Sequence, residues 1–170
     1  SFGTGGKAIT SISTHSAGTD SVAAVALQPD GKLVLAGRCA GGPSPSGNIT
    51  DYCVLRYNAN GTLDLTFNST GWLNVHVGPT TVASGAVGVV VQPDSKLVLF
   101  GNCEHLLATA FCTLRLNADG TSDLSFGVSG TVKILPIDAH VPAKALALQP
   151  DNKLLLAGKC PTPLIFCPND

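Results

Sequence analysis

The sequence predicts an all-β fold: repeated four-stranded antiparallel sheets arranged as β-propeller-type blades. Three observations predict it. First, the chain repeats itself. QPDGKLVLAG at 28–37 returns as QPDSKLVLFG at 92–101 and as QPDNKLLLAG at 149–158, and RYNANGTLDLTF at 56–67 returns as RLNADGTSDLSF at 115–126. A Phe-x-x-x-Gly element recurs in the same order, Phe2 to Gly6, Phe67 to Gly71 and Phe126 to Gly130, with a period of about 57 to 65 residues. Second, short apolar runs alternate with tight-turn signatures. Third, no segment keeps a 3.6-residue apolar period, so little or no helix is expected.

Each repeat reads as four strands. The first follows the Phe-x-x-x-Gly element: Lys7–Ser13, Trp72–Val77 and Thr131–Leu135. The second is Val22–Leu27, Ala86–Val91 and Ala143–Leu148. The third is Lys32–Ala36, Lys96–Phe100 and Lys153–Ala157. The fourth is Tyr52–Tyr57 and Phe111–Leu116, and the third unit stops before completing it. Pro-Asp followed by Gly, Ser or Asn makes the turn between second and third strands, because Pro presets φ and the residues after it tolerate turn dihedrals. Asn-Ala-Asn/Asp-Gly-Thr makes another turn after the fourth strand. The units so drawn are 1–66, 67–125 and 126–170, within one repeat domain.

The second and third strands are nearly continuous apolar runs, such as VAAVAL and KLVLAG. A sheet with one wet face would alternate, so both faces are expected to be covered by neighbouring sheets. Propeller blades do this, and small Ala and Gly residues permit close approach. A β-sandwich is the alternative, but it does not call for a four-strand repeat. The tally is eleven strands (four, four and three), too few blades for a closed ring of about four to eight. The ends therefore read as open sheet edges that invite pairing with another chain, and the start at Ser1-Phe2-Gly3, inside a motif, reads as a processed chain or a fragment.

The six cysteines follow the repeat. Each unit places one just after the third strand and one at the start of the fourth: Cys39 with Cys53, Cys103 with Cys112, and Cys160 with Cys167. The intervening loops of 13, 8 and 6 residues vary while the pair persists, as expected of a staple at the loop base. Each bridge would contribute roughly 2–3 kcal/mol. Metal binding would call for CxxC spacing or Cys/His clusters, which the sequence lacks. Disulfides imply an oxidising compartment, so the chain is expected outside the cell or at its surface.

Composition narrows the functions. Charged residues are 12% of the chain and the net charge is −1, with no basic patch, so nucleic acid is not an expected partner. No apolar run approaches the length of about 18 residues that a membrane helix requires, so no membrane insertion is expected. His15, His76, His105 and His140 occupy unrelated positions in the repeats and read as surface or loop residues; His105 neighbours Glu104 with no nucleophile in sight. Asp30, Asp94 and Asp151 supply one carboxylate per turn, too few for calcium, and the turn itself explains them. Asp64 and Asp123 are expected to satisfy turn backbone groups. Lys32, Lys96 and Lys153 read as exposed strand-end residues, and Arg56 and Arg115 as potential partners for the carboxylates. The Gly-rich stretches at Gly3–Gly6 and Gly41–Gly47 precede no helix, which argues against a phosphate cradle. Sequons stand at Asn48, Asn60 and Asn68, and Asn48, in the longest loop, is the best candidate for glycosylation.

QPDGKLVLAG, RYNANGTLDLTF and RLNADGTSDLSFG resemble the delta-60 repeat, and the resemblance spans essentially the whole chain. It implies a propeller-like architecture in a large bacterial surface or secreted protein, and carries no catalytic residues to transfer. Two positions depart from the motif: Asn68 stands for the expected Gly, and Ser122 for the usual Leu. The function favoured is an extracellular structural or scaffold protein that self-associates through open sheet edges as a filament, sheath or ring subunit. The alternatives are a glycan- or protein-binding propeller module, which calls for clustered aromatics, and a fragment of a larger secreted propeller enzyme, which calls for paired carboxylates or a His-based constellation. With one Trp, two Tyr and six Phe the first is thinly supported, and the second lacks its residues. No enzymatic activity and no cofactor are expected. The partners expected are further copies of the chain, or other repeats of the same larger chain.

Overall fold

A computed structural model describes residues 2–12, 20–40, 50–77, 84–105, 108–134 and 142–158. Among these residues all regular structure is β, in ten strands. The first sheet contains β1 (Ser21–Leu27), β2 (Leu33–Ala40), β3 (Thr50–Tyr57) and β4 (Trp72–Val75), hydrogen-bonded in that order. The second contains β5 (Gly85–Val91), β6 (Leu97–His105), β7 (Ala108–Leu116) and β8 (Thr131–Ile134), again in chain order. β9 (Ala143–Leu148) and β10 (Leu154–Gly158) pair as the described part of a third. Every pairing is antiparallel. The fold is thus all-β with blade-like four-stranded sheets, which do not close into a ring.

Two expectations about strands are corrected. Lys7–Ser13 is not a named strand: Lys7 makes only an isolated bridge to Thr4, residues 8–12 are irregular, and Ser13 lies outside the described residues. The strand after the second Phe-x-x-x-Gly element does not open the second sheet. Trp72–Val75 pairs with β3 and closes the first sheet, and Thr131–Ile134 likewise closes the second. The physical reason is reach. The Phe67–Gly71 element turns the chain back on itself, with Gly71 N–H donating to Phe67 O and Gly71 O accepting from Arg56 N–H. The chain that leaves the turn is already beside β3. The sheets therefore straddle the sequence boundaries at 66/67 and 125/126.

The three sheets stack face to face, and the first interface sets a large aliphatic face against a small one. The first sheet offers Ala24, Ala26, Val34 and Ala36 to the second, which answers with Val89, Val91, Leu97 and Leu99. Because β6 is sandwiched, Leu97, Val98, Leu99 and Phe100 are all fully buried, as the unbroken apolar run requires. The first half of β2 is fully buried on one face only: Val34 and Ala36 are inaccessible, while Leu33 and Leu35 are half-buried. Tyr52 reaches across the first interface, and its hydroxyl donates to Cys112 O at 3.1 Å. The Tyr52 ring is fully buried, which pushes its phenol above the usual range.

The glycine that ends each QPD repeat has a steric cause. The first strand of each sheet carries a bulge, between Val22 and Ala24 and between Ala86 and Gly88, that presses backbone onto its neighbour. A Cβ on Gly37 would sit 1.9 Å from Ser21 O, and one on Gly101 would sit 2.0 Å from Gly85 O. Gly37→Ala and Gly101→Ala are each expected to force the first strand off its partner, at a cost of about 2–3 kcal/mol. Urea unfolding curves of the two variants measure it.

Candidate functional site

The disulfides grow out of the second hairpin of each sheet. Cys39 is bonded to Cys53 and Cys103 to Cys112, with Cα separations of 5.7 and 5.8 Å. They are not directly opposed: Gly37 faces Cys53 and Cys39 faces Asp51, so the bridge crosses the ladder diagonally. The same offset recurs with Gly101, Cys112, Cys103 and Ala110. The bonded cysteines are buried and join the hydrophobic clusters. Cys160, Cys167 and the sequon at Asn48 lie outside the described residues.

The recurring charges form one polar cluster in each of the first two sheets. Arg56 Nε donates to Asp64 Oδ2 at 2.6 Å, and Lys32 Nζ lies 3.2 Å from the same oxygen. The other oxygen, Oδ1, accepts from the Thr66 amide and hydroxyl at 3.1 and 2.7 Å. The guanidinium lies over the Phe67 ring, 4.7 Å from its centroid. The second sheet rebuilds the set. Arg115 Nε and Lys96 Nζ reach Asp123 Oδ2 at 2.7 and 2.9 Å, and Arg115 stacks over Phe126 at 4.5 Å. Lys32 and Lys96 are thus partners of buried carboxylates, a role that strand-end position alone does not reveal. Lys153, whose side chain is 76% exposed, pairs with its turn neighbour Asp151 at 3.0 Å. For Asp64, burial pushes the carboxyl upward, but hydrogen bonds from Thr66 and Lys32 and the charge of Arg56 outweigh it and hold it well below the usual range. Hydrogen bonds from Ser125 and Lys96 hold Asp123 down in the same way.

This cluster also ties one unit to the next. Arg56 Nη1 donates to Ala118 O at 2.5 Å, and the Asn68 amide donates to Asp119 O at 2.7 Å. Phe67 is fully buried beneath that turn, where a Cβ on Gly120 would sit 2.8 Å from its ring. The Phe2 element does the same one unit earlier, with Gly3 N–H donating to Asn60 O at 2.7 Å. Asn68 departs from the motif's glycine yet keeps the left-handed φ of 50° that Gly3 and Gly127 adopt at 53° and 57°. Its side-chain amide donates to Trp72 O, which holds it there.

Of the four histidines, His76 is the one whose side chain is among the described residues. His76 Nδ1 lies 2.7 Å from Asp51 Oδ1 at the end of the first sheet, a carboxylate–imidazole pair that the sequence did not single out. His105 ends β6, and His15 and His140 lie outside the described residues. Asp30, Asp94 and Asp151 each accept from the amide of the lysine two residues on, the local role their turns require. Among the described residues no three His, Cys, Asp or Glu side chains converge to hold a metal ion, and no helix is long and apolar enough to cross a membrane.

Two sheet faces expose apolar side chains. The outward face of the first sheet forms a groove of about 600 Å³ lined by Phe2, Ile9, Val22, Val25, Leu33 and Leu35. Val22, Val25 and Leu27 are 58%, 62% and 67% exposed there. The outward face of the third sheet presents Ala145, Ala147, Leu155 and Ala157, with Leu155 51% exposed.

Residues 28–67 and 92–126 match a family described as a β-propeller domain of unknown function, DUF5122. Each segment runs from a QPD turn to the Phe that closes a polar cluster. No curated protein matches the chain significantly.

The depressed carboxyls make stability depend on acid. Their ionised forms stabilise the fold fully above about pH 4, the unfolded value, and that contribution is lost as pH falls further. Asp64→Asn, which leaves the buried Arg56 without its anion, is expected to cost about 2–3 kcal/mol at pH 7. It should also flatten the acid limb of a plot of stability against pH, read by thermal melts from pH 7 to pH 2. Asp123→Asn should act in the same direction.

Proposed function

We propose that the chain is an extracellular scaffold module that assembles with further copies of itself, head to tail, through the outward faces of its end sheets. The observation that carries this reading is that these two faces are the halves of an interface the chain already makes. In repeat register, Val25, Leu27, Leu33 and Leu35 correspond to Val89, Val91, Leu97 and Leu99, the large face that the second sheet turns to the first. Ala145, Ala147, Leu155 and Ala157 correspond to Ala24, Ala26, Val34 and Ala36, the small face that receives it. The register also matches: Val25 pairs with Leu35 as Val89 pairs with Leu99, and Ala157 pairs with Ala145 as Ala36 pairs with Ala24.

Contacts of this kind, between different surfaces of identical copies, extend into rings or filaments. Burying each Val or Leu would contribute roughly 1.5–3 kcal/mol. The two disulfides fit an oxidising setting, and staples at the hairpin bases suit a durable scaffold. The groove is lined mainly by aliphatic side chains, which favours a sheet as its occupant over a sugar. No catalytic role is part of the proposal.

Sedimentation and light scattering test it. The wild-type chain should self-associate with increasing concentration, whereas Val25→Glu and Ala147→Glu should each remain monomeric. Mixing the two variants should restore a one-to-one dimer, because each retains the face the other lacks. A wild-type chain that stays monomeric at high concentration, or variants that assemble like it, would overturn the reading.

A further inference from the structure

We infer that Arg115, Phe126 and Gly127 form a binding site for a further Asn-Ala-Asp-Gly turn at the end of a β-strand, beyond the two such turns of residues 1–170. The inference uses the polar cluster, not the sheet faces, and is independent of the stacking proposed above.

The argument is one of internal precedent. Two of the three Phe-x-x-x-Gly elements hold such a turn. Gly3, beside Phe2, donates to Asn60 in the turn Asn58–Gly61, and Asn68, beside Phe67, donates to Asp119 in the turn Asn117–Gly120. In the second case the guanidinium of Arg56 adds a bond to Ala118 O, and Phe67 forms a floor that only a glycine can meet. Everything that builds this cradle recurs at the third element. Arg115 is anchored by Asp123 and lies over Phe126 as Arg56 lies over Phe67. Asp123 accepts from the Ser125 amide and hydroxyl at 3.1 and 2.6 Å, as Asp64 does from Thr66. Gly127 has the same left-handed φ as Asn68, which aims its N–H the same way.

The difference is cover. Phe67 is fully buried and Arg56's side chain 7% exposed, whereas Phe126 is only half-buried, Gly127 is exposed and Arg115's side chain is 22% exposed. A preformed, anchored guanidinium and an aromatic floor already stacked with it cost little to order on binding, which favours recognition. The two turns of this type within the chain are already held in cis by Phe2 and Phe67, so a second folded copy has no vacant turn to offer. The fitting partner is a segment that ends a β-strand with Asn-Ala-Asp-Gly outside a completed cradle. Two carbonyls would accept from Arg115 and Gly127, and its glycine would rest on Phe126.

The test is an NMR titration of the intact ¹⁵N-labelled chain carrying Val25→Glu, so that stacking does not interfere, with a synthetic peptide of sequence TLRLNADGTSDLSF. Saturable shifts are expected at the Gly127 amide and the Arg115 Nε–H. A peptide with Val in place of its turn glycine should bind about tenfold or more weakly, because its side chain meets the Phe126 ring. Phe126→Ala should weaken the parent peptide similarly while the rest of the spectrum stays folded. The inference is overturned if no saturable shift appears at Gly127 at millimolar peptide, or if the glycine and valine peptides bind alike. Failure of the Val25→Glu chain to become monomeric would count against stacking alone.

Discussion

Everything in this molecule depends on the packing of a large-residue sheet face against a small-residue one. Val89, Val91, Leu97 and Leu99 interlock with Ala24, Ala26, Val34 and Ala36, and this contact makes β6 fully buried on both sides. Complementary size brings two twisted sheets close without voids, which is where most of the dispersion and hydrophobic gain arises. Close approach has consequences elsewhere. Within each of the first two sheets, the bulged first strand in turn excludes a side chain at Gly37 and Gly101. The close approach of the sheets also sets two buried polar groups across the interface, so that the Tyr52 hydroxyl meets Cys112 O.

The polar clusters work at the opposite, outer edge of the same sheets. Arg56, Asp64, Lys32 and Phe67 come from separate strands and turns, and their mutual satisfaction makes burial of two charges tolerable. Each carboxylate is fully used: one oxygen takes the cations, the other closes an Asx turn with Thr66 or Ser125. Because Arg56 also reaches Ala118, the cluster transmits register from one sheet to the next. The inner contact supplies adhesion without direction, since apolar burial is non-directional. The outer cluster supplies directional bonds that fix how neighbouring units are set.

Much of this was legible from residues alone. The strand positions of the second, third and fourth elements follow from apolar runs bounded by Pro-Asp and Asn-Gly turns, and β2, β6 and β10 start within a residue of where those turns end. The cysteine pairing of the first two units was legible because the pair persists while its loop changes. Less legible was the destination of the strand after Phe-x-x-x-Gly. A strand's partner is a tertiary fact: Trp72–Val75 carries no residue that says whether it pairs forward or back, and the hydrogen bonds of the Phe67–Gly71 turn decide it. The lysines were misjudged for a similar reason. A strand-end Lys looks solvated until the fold brings Asp64 or Asp123, some thirty residues distant, to its ammonium group.

The sequence by itself determined the all-β class, the repeat, the turns and the stapled hairpins, because each depends on local dihedral preference, short-range periodicity or near-neighbour pairing. Only the tertiary structure decided which strand closes each sheet, which face of each sheet is large and which small, and which carbonyls the arginines seek. Those depend on groups far apart in the chain whose approach is set by packing. The contact between the first two sheets is the clearest case. Its residues are ordinary Val, Leu and Ala in the sequence, and only stacking shows which of them meet.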